Sequence, residues 1–217
     1  MEKLLIDYIV VKNKIGKFQM KYKTILIFGP PGIGKSTQAK LLDQKRFFWI
    51  STGEILRTLE KRTEFKNSNL GKKVSKFMIS GDLIPDKIIL ELLMNKLKND
   101  IKSENFNIEK QILVLDGIPR NTAQIKSINK NFQIIKIIDL YCPNISILAN
   151  RILKRAKFEK RIDDQNIKII KKRLSNYLEE TANVLKEYSP QIIVRINGIK
   201  TINQIQKQIK KDLSKFN

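Results

Sequence analysis

Histidine is absent from all 217 residues, and cysteine occurs once, as Cys142. The first absence removes Ser-His-Asp and Cys-His hydrolysis together with imidazole metal sites. The second removes a disulfide framework and a thiolate metal cluster. Chemistry in this chain must run on Lys, Arg, Asp, Glu, hydroxyl groups and the backbone. Long hydrophobic runs are also missing. None approaches the roughly 18 residues that a membrane-spanning helix requires, which excludes a spanning protein. No internal repeat or low-complexity linker breaks the chain, and at about 100–200 residues per domain its length makes one or two domains. Aromatic residues are 7% of the total and do not alternate with basic ones, as a stacking stripe for nucleic acid would need.

What is present is apolar surface and positive charge. Hydrophobic residues make up 41%, enough for a core and too many for general disorder. Lys plus Arg number 43 against 21 Asp plus Glu, a net charge of +22. The basic residues are scattered, as in Lys12-Asn13-Lys14, Lys72-Lys73, Lys171-Lys172 and Lys210-Lys211. Lys, Asn and Ile crowd the whole chain, the pattern that an AT-rich coding sequence produces. The charge therefore reads as compositional drift rather than a specific nucleic-acid surface, although it would draw anionic ligands such as nucleotides.

Residues 1–22 read as a leader of unassigned role. Glu2 and Asp7 interrupt its apolar residues, the run is too short for a signal anchor, and no small-residue cleavage site follows. It is an extra strand or helix, or the product of a start codon placed ahead of Met20. Short apolar runs predict buried strands at 24–28, 47–50, 111–115, 136–141 and 192–196. Helical patterns fall at about 35–42, 53–61, 70–80, 88–102, 122–129, 146–154, 167–187 and 201–216. The polar stretches 61–69 and 103–110 read as loops. Buried strands alternating with helices imply an α/β fold, a parallel sheet covered on both faces.

Between the first buried strand and the first helix lies Gly29-Pro30-Pro31-Gly32-Ile33-Gly34-Lys35-Ser36. This is GxxxxGK[ST] in strand–turn–helix context, the pattern of a P-loop. Its glycines permit backbone conformations in which successive N–H groups face phosphate oxygens, and the following helix N-terminus adds partial positive charge. Lys35 would reach the β and γ phosphates, and the Ser36 hydroxyl could ligate Mg²⁺. Asp116 ends a buried strand, as a Walker-B-like carboxylate does.

The segments GPPGIGKSTQ at 29–38, ISTGEILR at 50–57, GDLIPDKII at 81–89, LDGIPRNTAQ at 115–124, RILKR at 151–155, RIDD at 161–164 and KRLSNY at 172–177 stand in one order. In that set the chain resembles the adenylate kinase family of nucleoside monophosphate kinases, over residues 23 to about 190. The resemblance implies a three-layer P-loop NTPase-type sheet as a single kinase domain over 23–217. It also implies a monophosphate-binding insert near 51–80 and a short lid near 156–162. The implied activity is Mg²⁺-dependent transfer of the γ-phosphoryl group of ATP to AMP, giving two ADP. ATP would be held by Gly29, Gly32, Ile33, Gly34, Lys35, Ser36 and Thr37, with Arg151 on its adenine. AMP would be held by Thr52, Gly53, Arg57, Ile84, Gly117, Arg120 and Gln124. Arg155, Arg161 and Arg173 would join Lys35 and Arg120 around the transferred group, with Asp163 and Asp164 pairing to these arginines. Mg²⁺ would sit on Ser36 and, through water, on Asp116. The lid has no cysteines, so the zinc of long-lid relatives is not expected. A cytoplasmic monomer that takes nucleotides and no specific nucleic acid is the family's usual condition.

Physically this chemistry suits a chain without histidine. The attacking group is an ionised phosphate oxygen, so no general base is needed, and catalysis is positioning plus neutralisation of charge. Thr52 and Gln124 favour AMP, whereas Glu54 looks like the uridylate and cytidylate kinases. The other readings are a UMP/CMP kinase, a nucleotide-binding protein that has lost catalysis, and a nucleic-acid-dependent ATPase. Three departures from the family pattern bear on the site. Ser36 replaces the usual Gly. The Arg57–Gly71 stretch is about four residues longer than in common relatives. One extra residue lies between Asp163 and Arg173, enough to rotate a helix by roughly 100° and bring Lys172 into the role of Arg173 unless a bulge absorbs it.

Overall fold

The computed structural model of the chain describes residues 10–12, 18–159, 164 and 166–216. Two short strands, β1 (Val10–Lys12) and β2 (Phe18–Met20), pair antiparallel. Residues 1–9 and 13–17 of the stretch read as a leader lie outside the described residues. The main sheet has five strands: β3 (Tyr22–Phe28), β4 (Phe47–Ser51), β5 (Ile112–Asp116), β6 (Phe132–Tyr141) and β7 (Ile193–Asn197). Their order is β4-β5-β3-β6-β7, and every neighbouring pair is parallel. The five apolar runs seen in the sequence thus form the sheet, with β6 beginning four residues earlier than its run.

Side chains alternate across the strands and build a core on each face. Leu26, Phe28, Leu113 and Leu115 face one side. There they meet Ile89, Leu93 and Leu97 of α5 (Asp86–Lys102), whose spacing of four places them on one helical stripe. Ile25, Ile27 and Val114 face the other side. They pack against α1 (Lys35–Lys40), α7 (Ser146–Glu159), α8 (Ile167–Asn176) and α10 (Ile202–Leu213). A capping box between Thr201 and Gln204 starts α10.

The stretch expected to bind a monophosphate forms α2 (Thr52–Glu60), α3 (Thr63–Asn67) and α4 (Asn69–Ser80). Helix α3 corrects the expected 61–69 loop, whereas 103–110 is irregular as expected. Helix α6 (Ala123–Asn131) connects β5 to β6. Helix α7 runs through residues 156–159, where the lid loop is expected to begin. Leu148, Ile152 and Ala156 share one buried face, and that packing carries α7 on to Glu159. Residues 160–163 lie outside the described residues. The expected helix over 167–187 is α8, a π turn (Tyr177–Thr181), α9 (Ala182–Val184) and a 3-10 turn (Leu185–Glu187). Among the described residues no helix is long and apolar enough to cross a membrane.

The central strand β3 has β5 on one side and β6 on the other, so the chain crosses in opposite directions from it. Such a switch point opens a crevice beyond the carboxyl ends of the strands, and residues 29–34 follow the carboxyl end of β3.

Candidate active site

Three glycines of the 29–34 turn, Gly29, Gly32 and Gly34, take φ of 138°, 81° and 105°. At Gly29 a Cβ would stand 2.4 Å from the Leu140 carbonyl oxygen, so glycine is what lets the turn lie against β6. Lys35 folds back over the turn, its Nζ donating to the carbonyls of Gly29 at 2.6 Å and Pro30 at 3.1 Å. Ser36 Oγ donates to Asp116 Oδ2 at 2.7 Å, tying the first turn of α1 to the end of β5.

A cavity of about 520 Å³ opens above these groups, within the range of small-molecule sites. It brings together Gly29, Gly32, Gly34, Lys35, Ser36 and Thr37 with Asp116 and Gly117. Its other walls carry Thr52, Gly53, Arg57, Ile84, Arg120, Gln124, Arg155 and Arg173. Two predicted residues are not in the wall. Ile33 is a core side chain, 2% exposed, and it packs where a Cβ on Gly198 would fall. Arg151 is exposed and turns its Nη1 to the Gly198 carbonyl at 3.4 Å. Arg161 and Asp163 lie outside the described residues.

The arginines come from four different segments. Arg57 lies one turn beyond Gly53 on α2, its Nη1 3.1 Å from where a Gly53 Cβ would be. Arg120 donates from Nε to the Gly117 carbonyl at 2.9 Å. Arg155 on α7 and Arg173 on α8 both bind Asp164, whose side chain is fully buried. One carboxylate thus orients two guanidinium groups at the cavity wall. The extra residue ahead of Arg173 does not rotate it out of place. Lys172 turns instead to Asp82, at 2.5 Å, and holds that carboxyl below its usual range together with Ser80. Asn176 adds a hydrogen bond of 3.0 Å to the Gly81 carbonyl, so α8 is fastened to the chain just after α4.

Charge in the cavity is unbalanced. Lys35, Lys40, Arg57, Arg120, Arg155 and Arg173 line it against Asp82, Asp116 and Glu159. Loss of hydration lowers the pKa of Lys35 to about 8; Asp116 opposes the shift, and Arg120, Arg155 and Arg173 add to it. Burial and the charge of Asp139 hold the Tyr177 hydroxyl well above the ordinary tyrosine range, so it stays protonated.

Some of these contacts have no counterpart in the sequence reading. Gln124 is 2% exposed and both ends of its amide are engaged. Its Oε1 accepts from the Arg120 N–H at 2.7 Å, and its Nε2 donates to Asp86 Oδ1 at 2.6 Å. Asn121 donates to the same Asp86 oxygen at 3.2 Å. Thr52 Oγ1 donates to the Gly117 carbonyl at 3.0 Å. Asp86 shows in the sequence only inside the GDLIPDKII segment, with no role of its own, and Thr181, whose Oγ1 donates to the Arg120 carbonyl at 2.8 Å, falls outside every segment that carries the resemblance.

A family model described as adenylate kinase matches residues 27–193. The chain belongs to the adenylate kinase family. It is 34% identical to an adenylate kinase of Flavobacterium psychrophilum over 193 residues, 85% of this chain and 95% of that protein. It is 32% identical to one of Leptospira biflexa over 198 residues, 88% and 100% of the two chains. It is 31% identical to one of Thermus thermophilus over 195 residues, 87% and 95%. An adenylate kinase-family chain is a nucleotide-binding phosphotransferase, and the cavity over the 29–36 turn carries an excess of positive charge. Among the described residues no group of three or more acidic or cysteine side chains gathers for a metal ion. The hydroxyl of Ser36 and the carboxylate of Asp116 instead offer two hard oxygen donors side by side. That set suits Mg²⁺, which prefers few protein ligands and completes its shell with water and phosphate oxygens.

Proposed function

We propose that the chain catalyses reversible transfer of the γ-phosphoryl group of ATP to AMP, giving two ADP. The observation that carries this reading is the convergence of Lys35 and of arginines from four segments on one cavity. Two nucleotides meeting phosphate to phosphate concentrate negative charge at one place, and guanidinium groups offer planar, bidentate partners for it. Lys35 and the glycine turn hold the phosphates of ATP. Arg57 holds the phosphate of AMP, and Arg120, Arg155 and Arg173 surround the transferred group. Ser36 and Asp116 would hold Mg²⁺, which neutralises phosphate charge when bound. The attacking oxygen is already ionised, so the residues position and neutralise, and none has to take a proton.

The insert expected over about 51–80 closes over the nucleotides and keeps water from taking the phosphoryl group. Gln124, which lines the same cavity as Arg57 and Ile84, supports AMP as the acceptor. Glu54, the residue that looked like the pyrimidine kinases, turns to Lys40 at 3.6 Å and is not part of the wall. The lone cysteine and the family's usual condition support a cytoplasmic monomer.

A coupled assay with Mg·ATP and each of AMP, GMP, UMP and CMP tests the reading. AMP is expected to give the highest kcat/KM, by about tenfold or more. Preference for UMP or CMP would reassign the acceptor. ATP hydrolysis stimulated by RNA and indifferent to AMP would overturn the proposal.

A further inference from the structure

Arg120 reaches the cavity from the irregular segment between β5 and α6, where no ladder or helix fixes its backbone. Its peptide groups are nevertheless tied on both sides. The N–H donates to Gln124 Oε1 at 2.7 Å. The carbonyl accepts from Thr181 Oγ1 at 2.8 Å, across 61 residues of sequence. Gln124 is itself held by Asp86. If Gln124 turns to a bound adenine, it must release at least one of its two partners, and the tie from Thr181 remains.

Thr181 arrives there through a break in helical geometry. Each residue of an α-helix advances roughly 100°, so a residue eight places after Arg173 would stand roughly 80° away from it. Residues Tyr177–Thr181 form a π turn instead. Its wider turn advances less per residue, and such turns are rare and concentrated at functional sites. The outcome is that Arg173, Tyr177 and Thr181 all line the cavity.

We propose that Thr181 is a positioning residue for phosphoryl transfer. Its hydroxyl, delivered by the π turn, fixes the Arg120 backbone so that the guanidinium meets the transferring group. This deepens the reading above and rests on its assignment of Arg120. Loss of the tie lets Arg120 wander between productive and unproductive positions. It therefore lowers kcat and leaves ATP capture on the 29–36 turn intact.

The test compares the full chain with Thr181→Val, Thr181→Ser, Arg120→Ala and the Thr181→Val/Arg120→Ala double variant. The measurements are kcat, KM for Mg·ATP and AMP, and thermal melting. Thr181→Val is expected to lower kcat on the order of tenfold, the factor carried by one hydrogen bond, with KM for Mg·ATP unchanged. Thr181→Ser restores the hydroxyl and is expected to recover most of that loss. In the Arg120→Ala background, Thr181→Val is expected to cost less than about twofold, because the residue it positions is gone. A Thr181→Val variant within about twofold of the parent in kcat, or a full tenfold loss persisting without Arg120, overturns the proposal. Should Thr181→Val fail to fold, Thr181→Ala is judged by the same criteria. Arg120→Ala alone is expected to cost on the order of 10²–10³ in kcat. A loss of less than about tenfold there would overturn the catalytic assignment of Arg120, and that failure is visible without reference to Thr181.

Discussion

Lys35 carries an instability that the free protein tolerates. Its ammonium is drawn into the turn and loses hydration, which lowers its pKa from 10.5 to about 8. In the unfolded chain the lysine keeps its proton up to its ordinary range. Between about pH 8 and pH 10.5 the unfolded state therefore binds more protons, and the Lys35 contribution to stability rises with pH. Binding runs the other way. Phosphate needs the charged form, so nucleotide affinity is expected to fall as pH rises through about 8, with proton uptake on binding. Calorimetric titration with ATP across that range, in buffers of different ionisation enthalpy, measures both. Lys35→Met should lose affinity and the pH slope together, and a flat profile in the parent would show that Lys35 keeps its charge. At this scale the sequence displayed Lys35, Ser36 and Asp116 because two of them lie within one motif and the third ends a recognisable buried strand. It could not display Asp86 or Thr181, whose contacts cross 38 and 61 residues.

Helix α3 shows where element prediction stops. Its five residues contain no buried side chain, so no apolar periodicity marks it, and 61–69 reads as loop. Tertiary contact decides the matter. Ser68 accepts a hydrogen bond from the Gly71 N–H and starts α4, and Gly71 lies against α3. A Cβ at Gly71 would stand 1.8 Å from the Phe65 carbonyl oxygen. Gly71→Ala therefore has to push α3 from α4 and is expected to destabilise the protein by about 1–3 kcal/mol. Urea unfolding measures it, and a change below about 0.5 kcal/mol would mean that α3 yields freely. The longer elements were legible because their burial repeats, as at Ile89, Leu93 and Leu97 on α5. The π turn was not, because the apolar pattern across 167–187 is compatible with a continuous helix.

Across the whole molecule, the net charge of +22 acts on anionic substrates before contact. Its field reaches about 10 Å at 0.1 M salt and shrinks as salt rises. The value of kcat/KM for ATP is therefore expected to decline with ionic strength through its association component. Stopped-flow binding at about 20 and 200 mM salt separates that component from dissociation. A salt-independent association rate would mean that the scattered lysines do not steer nucleotides. The fastening of α8 to Gly81 and Asp82 belongs to this scale too, since it joins the helix that carries Arg173 to the residues that follow α4.

The amino-acid sequence by itself determined the chemistry available, the five-strand parallel sheet and the glycine-rich turn between β3 and α1. Each follows from composition, from apolar runs or from residues within a few positions of one another. Only the tertiary structure decided that Arg173 and not Lys172 faces the cavity, that Ile33 and Arg151 stand outside its wall, and that Gln124 is held between Asp86 and Arg120. Those outcomes depend on how helix rotation and the packing of distant segments are resolved together, and no local pattern encodes that.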